Sequence, residues 1–210
     1  MSMLEGNGTP TMTNHKIKLY FDYNSPYSYI ASLQVEALCE RVGAELEWSP
    51  VVLGGIFQSN AIEPAHTKDN RRRYLFEDLH DLAAYYGIPY KERTTFLFKP
   101  ILALRVTLAV PQGAERAKAV HALYRGAFAE DLDLGEPEVV ARLLNEAGFD
   151  GAALVERTQD PEIKNELKAI TDEAIAKGVF GAPTFWVDDH KMFWGHDRMP
   201  LMEHYLKKSA

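Results

Sequence analysis

From Lys16 to Phe21 the chain alternates: Ile17, Leu19 and Phe21 are separated by Lys18 and Tyr20, and this period of two predicts a strand. Asp22-Tyr23-Asn24-Ser25-Pro26 then supplies turn chemistry. An apolar stripe through Ile30, Leu33, Ala37 and Leu38 continues to Val42 and predicts a helix closed by Gly43 as its C′ residue. Leu46 and Trp48 alternate with Glu45, Glu47 and Ser49, and the second strand is expected to run through Pro50 into Val51, Val52 and Leu53 before Gly54-Gly55. The start of the chain therefore reads β-α-β.

The period changes in the middle. Leu75, Leu79, Leu82 and Tyr86 fall at helical spacing within Arg71 to Tyr86, ahead of Gly87, and Ile101 to Ala109 is an apolar helix between two prolines. Further helices are expected over Ala114 to Ala129, Glu138 to Ala147, Gly151 to Thr158 and Pro161 to Lys177, the last with Asp160 as N-cap and Pro161 at N1. After Gly178 the strand period returns in Thr184 to Val187 and Lys191 to Trp194, joined by Asp188-Asp189-His190, and a helix over Pro200 to Lys207 ends the chain. The predicted class is α/β, a thioredoxin-like β-α-β and β-β-α frame interrupted by an all-helical insertion. Its expected boundaries are a tail over 1–15, the frame over 16–56 and 178–210, and the insertion over 57–177.

Composition narrows the chemistry. The 210 residues are 46% apolar and 25% charged, enough for a sizeable core in one large domain. With a single cysteine, Cys39, the chain forms no internal disulfide and no CxxC centre, and Cys-based zinc sites are excluded. The net charge of −7 opposes binding to nucleic acid or to an anionic membrane surface. No apolar run approaches the roughly 20 residues that span a bilayer, no secretory leader precedes the first strand, and the end lacks a peroxisomal S-K-L, so a cytoplasmic location is expected. The seven histidines show no metal-ligand spacing, and no metal is expected. Dinucleotide, P-loop and GxSxG motifs are absent.

Three stretches carry candidate chemistry, each with a plain structural alternative. Asn24-Ser25-Pro26-Tyr27-Ser28 places hydroxyls at the head of the first helix, where free N–H groups favour an anion; on spacing alone Ser25 or Ser28 reads first as an N-cap. Gly181-Ala182-Pro183-Thr184 introduces a strand through a proline whose bond, if cis, turns the preceding backbone towards a ligand, whereas a trans proline at an edge is the commoner case. Trp194-Gly195-His196-Asp197 leads into the last helix, with Asp197 either a cap or the partner of a ligand ammonium group.

In order and spacing these stretches resemble one family. Tyr20-Phe21-Asp22-Tyr23-Asn24-Ser25-Pro26-Tyr27-Ser28-Tyr29 is similar to the opening motif of the 2-hydroxychromene-2-carboxylate isomerases and the related kappa-class glutathione transferases. Leu53-Gly54-Gly55-Ile56-Phe57, Gly178 to Phe185 and Phe193 to Arg198 are similar to their later motifs. The resemblance implies a thioredoxin-like domain with a DsbA-type helical insertion, glutathione as cosubstrate, a small aromatic substrate and a homodimer. Ser25 stands where redox relatives carry their nucleophilic cysteine, and its implied role is to stabilise a glutathione thiolate.

The resemblance further implies that Ala182, beside a cis Pro183, bonds the peptide backbone of glutathione, and that Asp197 holds the γ-glutamyl ammonium. Asn60 is an implied ligand contact, Lys68 or Arg71 the contact to the glycyl carboxylate, and His196 stands among them with its role open. Tyr23, Tyr27, Phe57 and Trp194 are the aromatic residues expected to line the substrate pocket. The implied reaction is cis-trans isomerisation of an aromatic unsaturated 2-oxo acid by reversible thiolate addition. The alternatives are a transferase in which the same thiolate attacks an electrophile, and a thioredoxin-like binding module without turnover.

Overall fold

The computed structural model describes residues 15–64, 67–94 and 99–209; the stretch 1–14, expected as a tail, lies outside them. His15, assigned to that tail from sequence, already belongs to the fold. It is buried, its Nδ1 lies 2.7 Å from Asp188 Oδ2, and its carbonyl accepts from the Glu45 N–H.

Strand β1 (Lys16–Phe21), helix α1 (Pro26–Val42) and strand β2 (Glu45–Pro50) form the opening unit, with Gly43 in the left-handed conformation that only a residue without Cβ adopts cheaply. Helices α2 (Leu53–Ser59), α3 (Asp69–Tyr86), α4 (Ile101–Ala109), α5 (Ala114–Phe128), α6 (Pro137–Glu146), α7 (Gly151–Arg157) and α8 (Pro161–Ala176) follow. Strands β3 (Thr184–Val187) and β4 (Lys191–Trp194) then lead through a short 3-10 turn into α9 (Met199–Ser209). No helix among the described residues is long and apolar enough to cross a membrane.

The sheet runs in the order β2-β1-β3-β4, with β1 parallel to β2 and the other pairs antiparallel. Ile17, Leu19 and Phe21 face the larger core beneath α1, α4 and α5. Tyr20 faces the other way, into a smaller cluster with Val51, Ile56, Ala174 and Val179 that seats α2 and α8. Lys18 shares that second face and bonds Glu173 of α8 at 3.1 Å. The period of two read from the sequence is thus the division between two helical layers.

One expectation is corrected. The second strand stops at Pro50, and Leu53–Ser59 is a helix. Gly54-Gly55 read as a break, yet both glycines lie inside α2, where Leu53 and Ile56 bury one face at helical spacing. A Cβ at position 55 would stand 3.9 Å from Thr171 of α8, an ordinary contact, so close approach does not require a glycine there.

β2 is an edge strand, and its outer side is covered by side chains. Gln112 donates to the Trp48 carbonyl at 2.9 Å and accepts from the Trp48 N–H at 3.1 Å, replacing a neighbouring strand. Arg116, only 5% exposed, donates to the carbonyls of Val110 (2.9 Å), Trp48 (3.2 Å) and Leu108 (3.3 Å), tying the end of α4 to the sheet edge. Arg116→Met should strip Leu108 and Val110 of this donor and lower the unfolding free energy by about 2–4 kcal/mol in urea titrations, with the slope unchanged. A loss below about 0.5 kcal/mol would mean that water serves these carbonyls instead.

Cys39 is buried on α1, and burial, with Glu36 nearby, pushes its thiol up to about 12. In the native protein it should therefore resist Ellman's reagent near pH 8, and one thiol per chain should titrate only after denaturant is added. Rapid reaction without denaturant would contradict this packing.

Candidate functional site

The site follows from strand register. Tyr20 of β1 pairs with Thr184 of β3, so the turn that leaves β1 and the segment that enters β3 meet at one end of the sheet. The Ala182-Pro183 bond is cis. The segment is fixed from both sides: Thr184 Oγ1 donates to the Gly181 carbonyl at 2.7 Å, and the Pro183 carbonyl accepts from the Gly195 N–H at 2.9 Å.

Ser25 faces this segment. Its hydroxyl donates to the Ala182 carbonyl at 2.9 Å while its oxygen accepts from the Ser28 N–H at 3.2 Å, which makes it the N-cap of α1. The capping and the site readings of Ser25 are therefore one geometry, because a hydroxyl oxygen that caps still has a proton to donate. Ser28 is fully buried behind it.

A cavity of about 610 Å³ opens over Ser25. Asp22, Ser25, Pro26 and Tyr27 form its floor, Leu53 and Phe57 of α2 one wall, and Arg71 and Leu75 of α3 another. Ile62, Glu63 and Ile101 come from between these elements, and Phe180 to Ala182 with Trp194 close the side towards β4. The Trp194 indole lies so close over Gly181 that a Cβ there would fall 2.5 Å from its Nε1, and Phe180 packs on the same ring at 4.8 Å between centroids. Position 181 is thus a glycine for reasons of approach. Lining is mostly apolar, and Arg71 is the one cation among the described wall residues.

Asp22 is the buried charge of the floor. It is 1% exposed, its Oδ1 accepts from the Asn24 N–H at 2.8 Å, and its Oδ2 accepts from the Leu53 N–H at 2.9 Å. Burial raises its carboxyl to about 6, against the pull of those two hydrogen bonds.

Of the residues expected from sequence, Ser25, Tyr27, Phe57, Arg71, Ala182 and Trp194 lie on the cavity wall, and Pro183 stands directly behind Ala182. Tyr27 also donates to Asp78 at 2.8 Å and stacks flat on His196 at 5.3 Å between rings. His196 therefore backs the wall from behind Tyr27, and burial lowers its pKa although Asp197 and Asp78 are near.

The structure sets four others apart. Tyr23 is fully buried, bonded to Thr107 at 2.6 Å, and belongs to the aromatic core with Phe21 and Tyr124. Asn60 caps α2, its amide donating to the carbonyls of Ile56 (2.9 Å) and Val179 (3.3 Å). Lys68 pairs with Glu63 at 3.1 Å, and Asp197 pairs with its neighbour Arg198 at 3.1 Å. Sequence reading missed Asp22, Leu53, Ile62, Leu75, Ile101 and Phe180 as wall residues. Asp22 left a signal as the acid that follows β1 three residues before Ser25, and Leu53 and Phe180 stood within the motifs that carry the family resemblance, whereas Ile62, Leu75 and Ile101 left none.

Comparison with known proteins agrees with this architecture. The chain is 29% identical over 196 residues to a 2-hydroxychromene-2-carboxylate isomerase of Sphingobium xenophagum, covering 90% of this chain and 97% of that one. It is 28% identical over 208 residues to human glutathione S-transferase kappa 1, covering 90% of each. A solved 2-hydroxychromene-2-carboxylate isomerase structure shares the fold with a TM-score of 0.82 at 23% identity, over 92% of this chain and 95% of that one. A sequence model of the DSBA-like thioredoxin domain matches residues 16–207, from the first residue of β1 into α9, and the chain belongs to that family.

Proposed function

We propose that the cavity binds glutathione and that the protein isomerises an aromatic unsaturated 2-oxo acid of the 2-hydroxychromene-2-carboxylate type. The observation that carries this reading is the Ser25 hydroxyl, placed at the head of a 17-residue helix and 2.9 Å from the carbonyl that precedes a cis proline, under an apolar cavity. The chain's own thiol is buried elsewhere. A reactive sulfur must then arrive with a ligand, and the two similar proteins named above are an isomerase and a glutathione transferase.

The residues present suit a tripeptide thiol. Ser25 has one proton to give; turned from the Ala182 carbonyl towards a thiolate it supplies a hydrogen bond to charge, worth about 1.5–3 kcal/mol. The N-terminus of α1 adds roughly 0.3–1 kcal/mol in favour of the anion. Ala182 offers peptide backbone beside the cis bond and Arg71 a guanidinium for a carboxylate, whereas Asp197, on the turn after β4 and off the cavity wall, would have to leave Arg198 to take an ammonium group. Phe57, Tyr27 and Trp194 present aromatic surface for the second substrate and keep water from the reacting atoms. Bound glutathione would supply a thiolate that adds reversibly to a conjugated double bond, so that the bond rotates before the thiolate leaves.

One observation favours transfer to a neutral electrophile as the second reading. Arg71 is the one cation among the described wall residues, and a glutathione carboxylate would occupy it, leaving no second cation on those walls for the carboxylate of a 2-oxo acid.

Ser25→Ala should lower kcat/KM by about 10–100-fold with either a chromene carboxylate or 1-chloro-2,4-dinitrobenzene, and leave glutathione binding within a few-fold in calorimetry. Unchanged turnover would remove Ser25 from the chemistry, and no glutathione binding by the wild type at millimolar concentration would remove the reading itself. Arg71→Ala should raise the glutathione KM about tenfold with the neutral electrophile at constant kcat, as loss of a uniform binding contact does. A fall in kcat at constant KM would instead place Arg71 at the reacting centre.

A further inference from the structure

Asp22 is the buried ionisable group of the site that the proposed chemistry leaves unused. Its carboxylate is shared between two segments that form different walls: one oxygen takes the Asn24 N–H of the Ser25 turn, the other the Leu53 N–H at the start of α2. Its own carbonyl accepts from the Ser25 N–H at 2.9 Å and from the Tyr124 hydroxyl at 3.1 Å. Every polar atom of this residue beyond its N–H therefore holds the floor of the cavity together.

Two facts distinguish this from an ordinary turn. The group is a carboxylate, whereas an amide would avoid the buried charge but offer a single acceptor to the two N–H donors, and among the described residues no ammonium or guanidinium group acts on it. The titratable groups that face it are Tyr23 from its own turn and Tyr124 from α5, both phenols held neutral by burial. Leu53 of α2 brings no charge, and Arg71 and Glu63 reach the same cavity from its outer wall.

Only the ionised carboxylate offers two good acceptors. A protonated carboxyl places a hydrogen on one oxygen and weakens one of the two bonds. We propose that Asp22 is a positioning residue whose ionised form clasps the Ser25 turn to α2 at the separation a ligand needs, so that the site assembles as Asp22 loses its proton. This rests on the glutathione reading for the identity of the ligand. Burial raises the titration to about 6, inside the range where binding can be followed.

The test uses S-methylglutathione, which has no thiol to ionise, so any pH dependence of binding belongs to the protein. In calorimetry from about pH 5 to about pH 8, wild-type affinity should rise through Asp22's titration, while Asp22→Asn should bind about tenfold more weakly at the upper end and show no such rise. The variant exchanges a buried charge for one unpaired N–H, two effects of opposite sign, so its melting temperature at neutral pH should stay close to the wild type's, whereas a merely structural Asp22 would lower the melting temperature and leave the affinity of the folded fraction unchanged.

Amide spectra of the ligand-free wild type give an independent reading: the Asn24 and Leu53 N–H signals should move together with one titration near pH 6. Amides that stay still, a pH dependence that survives in Asp22→Asn, or equal affinity of the two proteins would each overturn the proposal. If the wild type binds no S-methylglutathione at any pH while the amides titrate, the glutathione reading fails and the ligand role of Asp22 falls with it, although the clasp itself is seen.

Discussion

The structure depends on how backbone polar groups are satisfied where β1 ends. Three segments meet there without a continuing ladder: the turn after β1, the chain between β2 and α2, and the chain entering β3. An unpaired buried N–H or C=O costs about 1–3 kcal/mol, so each must find a partner within a few ångströms. The Phe21 carbonyl takes the Val51 N–H at 2.9 Å, the Asp22 carbonyl takes the Ser25 N–H, and the Ala182 carbonyl takes the Ser25 hydroxyl. Asp22 supplies the remaining acceptors. The floor of the cavity is thus what results from pairing these groups, and the Ser25 hydroxyl faces Ala182 because that carbonyl is the acceptor the pairing offers it.

This arrangement has an energetic direction. A carboxyl raised from the usual 3.8 to about 6 stabilises the folded state less when ionised, and the difference corresponds to about 3 kcal/mol. The sign is opposite to that of a salt-bridged acid. The cost is fully present above pH 6 and is relieved as pH falls from about 6 towards 3.8, because the folded state then binds a proton that the unfolded chain does not. A total stability of roughly 5–15 kcal/mol makes that a large fraction to leave at one residue. The burden is carried elsewhere, by the core under α1, α4 and α5 and by the Arg116 and Gln112 contacts that close the β2 edge.

Much of this was legible in the sequence because it depends on period and punctuation. Strands at 16–21, 184–187 and 191–194 and helix α4 fall where alternation and flanking prolines put them. Ser25, Ala182 and Trp194 were legible as local motifs at element ends. What stayed hidden is what depends on distance in the fold. Helix α2 was masked by Gly54-Gly55, which lie inside it and read as a break, and Tyr23 read as a wall residue because its partners Thr107 and Tyr124 lie far along the chain. Leu75 and Ile101 carry ordinary core patterning, and nothing in a helical period tells a core face from a cavity wall.

The same division explains why the chemistry of Ser25 cannot be separated from its capping role. In a redox relative a thiol at the helix head would need only access and a lowered pKa. Here the hydroxyl oxygen must accept from the Ser28 N–H to start α1, so its position is fixed by the helix, and only its proton is mobile between the Ala182 carbonyl and an incoming anion. Donation to a ligand therefore needs no movement of heavy atoms in the turn. It does free the Ala182 carbonyl, at the edge where an extended peptide would lie. A ligand that brings both an anion for Ser25 and a backbone donor for Ala182 satisfies both groups at once, whereas a bare anion satisfies one and leaves the other unpaired. On the proposed reading, a peptide that carries its own anion is the ligand that would satisfy both groups, by the same rule of satisfied polar groups that built the floor.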